Sequence, residues 1–200
     1  TTMLRLVLPD AGPLISLGLI DRLDLLDRFD CAIVVTDMVR YELERGGEGA
    51  PDKPALDRWF SKAGNRIQSI ETTYGLMYQA LPPDVQRRIR LTTDAGENSI
   101  REFSDHARHT LSREDQILIL YEDGKVPTND FGPQAHLVHT FAFLSALENM
   151  GVIQSADALR EAIHRKRRSL ARDLFDRPAV DAGDESWTQN YDTQPGGSGM

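Results

Sequence analysis

Two hundred residues with 40% hydrophobic content suffice for one ordinary globular core and make two large domains implausible. A formal net charge of −8 excludes a generally basic nucleic-acid coat but leaves room for a local basic patch on an acidic body. The single cysteine, Cys31, excludes an internal disulfide, and no apolar run reaches the ~18 residues of a membrane span, so a soluble cytoplasmic protein is expected.

Leu4, Leu6 and Leu8, with Val7 between them, form a first strand that Pro9-Asp10 closes. The helical spacing of Leu14, Leu17, Ile20 and Leu23 follows. Ala32 to Val35 is a continuous apolar run, as expected of a strand covered on both faces, and Thr36-Asp37 caps a second helix carrying Val39, Tyr41, Glu42 and Leu43. Gly46 to Pro54 reads as a loop, Leu56 to Phe60 as a short helix, and Arg66 to Ile70 as a third strand. A polar helical stretch holds Pro82-Pro83 and the basic cluster Arg87, Arg88, Arg90. A helix runs from Asp94 to about His109, and Ile117 to Leu120 is the clearest strand, stopping at Tyr121-Glu122-Asp123-Gly124. After a Pro/Gly/Asn loop, residues 135–140 read as a last strand, and helices around 141–150 and 155–168 close the core. The composition beyond residue 171 turns polar and Gly-rich, so 171–200 is expected to be a flexible or tag-derived extension, with Trp187 and Tyr191 able to dock on the body or a partner. The alternation predicts an α/β domain over 1–170: a mostly parallel central sheet with helices on both faces.

In such a sheet ligands gather outside the carboxyl ends of the strands. Asp10 lies there after strand one, and Glu122 and Asp123 lie there after the strand 117–120. Glu97 falls in the first turn of its helix and Glu42 within the second helix. Two carboxylates 4 Å apart repel by roughly 4 kcal/mol at an effective dielectric near 20, so a fold that gathers several calls for a proton or a cation. Oxygen donors without His or Cys at metal spacing suit a hard ion, Mg²⁺ or Mn²⁺. Each acid also has a plainer role open to it. Asp10 and Asp94 fit helix caps, Asp94 the better of the two, while Asp94-x-x-Glu97 fits a capping box and Asp123-Gly124 a turn.

Four ordered segments together resemble the PIN domain, the nuclease fold of VapC-like toxins and related single-domain ribonucleases. They are Leu8-Pro9-Asp10-Ala11-Gly12-Pro13-Leu14-Ile15, Val35 to Glu42, Asp94-Ala95-Gly96-Glu97, and Ile117 to Asp123. The resemblance spans Met3 to Arg168, with an insertion-like region at about 46–93. It implies a three-layer α/β/α fold and a metal-dependent ribonuclease acting on single-stranded RNA, with the toxin of a type II toxin-antitoxin pair among the roles the resemblance implies. Carried over by position, Asp10, Glu42, Glu97 and either Glu122 or Asp123 are the metal-binding and catalytic acids. Tyr-Glu-Asp stands where the family pattern has Thr-x-Asp or Asp-Asp, and Asp130 is a weaker alternative. Arg40, Ser16 and Thr140 are the substrate-binding candidates, with Arg87, Arg88 and Arg90 as further basic contacts; the run Arg165 to Arg168 reads as a solvated helix end. A cognate antitoxin and a homodimer are the implied partners.

Two other readings compete. A PIN-like domain without strong catalysis would serve protein or nucleic-acid binding, and the departure at the fourth acid favours it. A phosphorylated receiver would use Asp37 and a later Lys, for which Lys125 is poorly placed.

Overall fold

The structure is a computed structural model that describes residues 3–62, 66–92, 94–122, 130–168 and 185–194. Five strands, β1 (Met3–Pro9), β2 (Ala32–Thr36), β3 (Ile67–Ile70), β4 (Asp115–Tyr121) and β5 (Ala135–His139), form one sheet in the order β3-β2-β1-β4-β5. Every pairing is parallel, with Leu6 opposite Ala32, Val7 opposite Leu118, and Tyr121 opposite His139. Parallel strands are covered on both faces, and their composition follows: Val7, Leu8, Val35 and Ile117 to Leu120 are fully buried. Helices α1 (Ala11–Leu19), α2 (Asp37–Glu44), α3 (Lys53–Lys62), α4 (Thr73–Gln79), α5 (Pro83–Thr92), α6 (Ala95–Ala107), α7 (Thr140–Asn149) and α8 (Ala156–Arg168) complete a three-layer α/β/α fold. Strand order reverses about β1, which places the crevice of an open α/β sheet at the end of β1, beside Asp10.

The segment 46–93, insertion-like in sequence, supplies the sheet's edge strand β3 as well as α3, α4 and α5. The expected single polar helix is two, parted at Pro82-Pro83, because Pro83 is tolerated as the first residue of a helix but not inside one. Asp37 anchors this region: its carboxylate accepts from the Thr72 backbone N–H at 2.9 Å and the Thr72 hydroxyl at 2.8 Å, while Thr72 Oγ1 caps α4 by accepting from Gly75 N–H. Asp37 is thus committed to capping, which removes the receiver reading's acceptor. Among the described residues no helix is long and apolar enough to cross a membrane.

The expectation of an extension without a fold role needs correction for 185–194. A short 3₁₀ helix, Glu185–Asn190, places Trp187 and Tyr191 in the core at 2% and 6% exposure. Tyr191 meets Phe29 edge-on at 5.0 Å between ring centroids, and Trp187 lies 5.4 Å from Phe143. The Tyr191 hydroxyl donates to the Leu25 carbonyl, and Leu4 N–H donates to the Asn190 side chain. Two aromatic rings in a polar segment supply the burial that its composition conceals. The remainder of 171–200 lies outside the described residues.

Candidate active site

Asp10 is the N-cap of α1, its carboxylate accepting from Ala11 N–H at 2.8 Å. Its own N–H donates to Leu120 O at 2.9 Å, so the β1–β4 ladder holds the backbone of the residue while the side chain turns to the sheet end. Glu42 reaches the same place from α2, accepting from Gly96 N–H at 3.1 Å. Gly96 stands between them: a Cβ built there would lie 3.1 Å from Asp10 Oδ1 and 3.1 and 3.2 Å from the two Glu42 oxygens. Both carboxylates therefore line one small gap that a side chain at 96 would invade. The position of Gly96 is fixed from below, because Ser99 Oγ donates to Gly96 O and the buried Thr36 hydroxyl, at the end of β2, meets Ser99 Oγ at 2.7 Å.

Two more acids act on this gap. Asp94 caps α6, accepting from Glu97 N–H at 3.0 Å, and Glu97 is buried in the first turn. Burial pushes Asp10 well above the usual carboxylate range, and the charges of Asp94, Glu42 and Glu97 push it the same way against the Ala11 N–H. Burial and Asp94 raise Glu42 to about 7, opposed by Gly96 N–H and Arg45. The strongest charges on Asp10 are all negative. An opposite charge delivered to the gap would reverse both shifts.

Sequence reasoning missed one member of this group. Asp94 reads in sequence as a cap, and it does cap, but its charge also acts most strongly of the neighbouring charges on both Asp10 and Glu42. Capping and charge supply need the same residue type at the same helix end, so sequence could not divide the two roles.

The other predicted positions are placed elsewhere. Glu122 does not join the acids: its Oε2 accepts from Arg167 Nη2 at 2.9 Å, and its side chain is 5% exposed. Arg167 therefore departs from the solvated helix end expected for the basic run, whereas Arg165 and Lys166 are exposed. Asp123 lies outside the described residues. Asp130 is exposed and accepts from Gly132 N–H, the chemistry of a turn. Ser16 is fully buried and accepts from Arg167 at 2.6 Å, so it faces α8 rather than a ligand. Thr140 begins α7 with its hydroxyl buried and without a partner among the described residues. Arg40 sits two residues from Glu42, about 200° away around a helix, and its guanidinium stacks 3.9 Å from the Phe60 ring centroid with Glu44 at 3.5 Å. It is turned from the acids. Arg87 and Arg88 are exposed on α5, and the Arg90 side chain lies outside the described residues.

The donor set suits a hard divalent ion in kind: oxygens only, from two carboxylates at one gap, with charge to spare. Among the described residues no group of three or more His, Cys, Asp or Glu is placed to hold a metal ion.

The all-parallel sheet with buried acids at its switch point defines an α/β protein whose acids lie where open α/β sheets form their ligand crevice. Residues 6–87 match the family model DUF3368, described as a PIN domain, so that stretch is similar to PIN-domain sequence. The match contains Asp10 and Glu42 and runs on through α3, β3 and α4. No curated protein matches the chain.

Proposed function

We propose that the chain is a divalent-metal-dependent endoribonuclease acting on single-stranded RNA. The observation that supports this is the gap beside Gly96, where the carboxylates of Asp10 and Glu42 face each other with Asp94 and Glu97 adding negative charge. Asp10 and Glu42 would hold Mg²⁺ or Mn²⁺. When bound, the ion supplies neutralisation of charge developing on a phosphodiester and acidifies water. Asp94 and Glu97 deepen the negative potential that attracts the cation, and Gly96 leaves room for it. The helix α6 N-terminus keeps Glu42 oriented through Gly96 N–H. Arg87 and Arg88, exposed on α5, are candidates for backbone phosphate contacts.

The test is cleavage of labelled single-stranded RNA, duplex RNA and single-stranded DNA, with and without Mg²⁺ or Mn²⁺, by wild type and Asp10→Asn. Single-stranded RNA should be cut only with the ion present, and Asp10→Asn should lose about a hundredfold or more, the scale on which a misplaced reacting group costs rate. Equal cleavage by the two proteins removes the enzyme reading.

The same proposal includes a cytoplasmic toxin role, with a protein antitoxin and a homodimer as partners. Growth arrest on induction of wild type, and not of Asp10→Asn, would support it. The diversion of Glu122 to Arg167 favours the second reading, a PIN-like binding domain with weak catalysis, which predicts RNA retention without cleavage.

A further inference from the structure

Arg167, near the end of α8, joins three elements at one point. Its Nη2 lies 2.9 Å from the Gly12 carbonyl, 2.6 Å from Ser16 Oγ and 2.9 Å from Glu122 Oε2. Gly12 and Ser16 are in the first two turns of α1, the helix that Asp10 caps, and Glu122 is the first residue after β4. All this is enclosed: Ser16 is fully buried, the Glu122 side chain is 5% exposed and that of Arg167 is 18% exposed. Glu122 Oε1 accepts no hydrogen bond among the described residues, so Arg167 is the ion-pair partner of a carboxylate that is otherwise incompletely satisfied.

The clamp is tight at its centre. A Cβ at Gly12 would stand 3.2 Å from Glu122 Cβ and 3.3 Å from Glu122 Oε2. The helix therefore approaches the end of β4 closely where Arg167 ties them, two residues from Asp10. A helix end that shifts there turns the Asp10 side chain with it, because Asp10 Oδ1 is bonded to Ala11 N–H, while the β1–β4 ladder holds the Asp10 backbone at Leu120 O.

We propose that Arg167 is a positioning residue: by gathering the Gly12 carbonyl, the Ser16 hydroxyl and the Glu122 carboxylate, it sets the first turn of α1 and so aims Asp10 at Gly96 and Glu42. Glu122 is then the counter-ion of this clamp. The inference rests on the proposed role of Asp10 for its functional consequence, but its geometric content stands without a metal.

The experiment uses the full chain and separates the two. Arg167→Lys and the paired Arg167→Met/Glu122→Met are compared with wild type. The pair removes both buried charges together, so it keeps a folded protein even where Arg167→Met alone does not. Thermal melting and circular dichroism report folding, the ¹⁵N-labelled amides of Ala11 and Gly96 report the aim of Asp10 and Glu42 without metal, and Mn²⁺ binding by electron paramagnetic resonance reports the consequence. The paired variant should melt near wild type, displace the Ala11 and Gly96 amide resonances, and bind Mn²⁺ about tenfold more weakly, as when residues supporting metal ligands are lost. Arg167→Lys, which keeps the charge and loses the planar guanidinium, should fall between. Unmoved Ala11 and Gly96 amides in the folded paired variant would overturn the inference, as would wild-type Mn²⁺ affinity in that variant. Absence of Mn²⁺ binding by wild type overturns the metal reading alone, and the amide measurement then decides the positioning role.

Discussion

The two ends of the parallel sheet are built on opposite principles. At the amino end, Leu4 and Phe29 are sealed by Trp187 and Tyr191, with the rings packed against Phe143 and the Tyr191 hydroxyl bonded to Leu25 O. Apolar area is removed from water there and the polar tips find partners. At the carboxyl end, Asp10 and Glu97 are buried and Glu42 is raised to about 7 by burial and Asp94. One end stabilises the fold and the other draws on that stability, the pattern expected where a site holds charge ready for a ligand.

Trp187→Ala gives the largest test of the contrast. Removing this ring should destabilise by about 3–5 kcal/mol, read by denaturant melts, while the affinity for Mn²⁺ per folded molecule stays unchanged. A loss under about 0.5 kcal/mol, the range of an ordinary surface change, would break the claim that the amino end is a stabilising seal.

The charged end should reveal itself through pH. A carboxyl whose folded pKa exceeds its unfolded value keeps its proton longer in the native state, so stability falls as pH rises from the ordinary carboxylate range toward the folded pKa. For Glu42, raised to about 7, the loss accrues between about pH 4.5 and 7 and amounts to about 3 kcal/mol at the top of that range. Asp10, raised in the same direction by burial, adds to it. Melting curves of the metal-free protein should therefore decline over that window, and Glu42→Gln should reduce the slope and raise stability at pH 8. A slope unchanged in Glu42→Gln would contradict the assignment. Saturating Mg²⁺ should restore wild-type stability at pH 8.

Gly96→Ala is the smallest perturbation and the sharpest. Its methyl enters the gap 3.1 Å from Asp10 Oδ1 and Glu42 Oε1, while the backbone is helical and tolerates alanine. Stability should change by less than about 1.5 kcal/mol, whereas Mn²⁺ binding should fall steeply by titration calorimetry. Retained binding would mean that the gap is not where the ion sits.

Much of the layout was legible because burial writes itself into composition. Ile117 to Leu120 is too apolar for anything but a doubly covered strand, and Asp10 marks the end of β1 because the apolar run stops there. Contacts across the fold were not legible. Within the run Arg165 to Arg168 nothing in the chemistry distinguishes the arginine that turns inward, because that depends on where α8 crosses α1. Arg40 and Glu42 look like neighbours in sequence and diverge on the helix. Trp187 and Tyr191 stand out in sequence as rings able to dock, but their polar company does not say whether the body or a partner receives them.

The central position of β1 has a consequence for dissection of the chain. Its partners are β2 and β4, and β4 begins at Asp115, beyond the residues 6–87 of the family match. A fragment cut to that match would leave one side of β1 with an unpaired row of backbone donors and acceptors, a template for strand addition between copies. Truncation to the matched segment should therefore yield aggregates rather than a smaller copy of the fold.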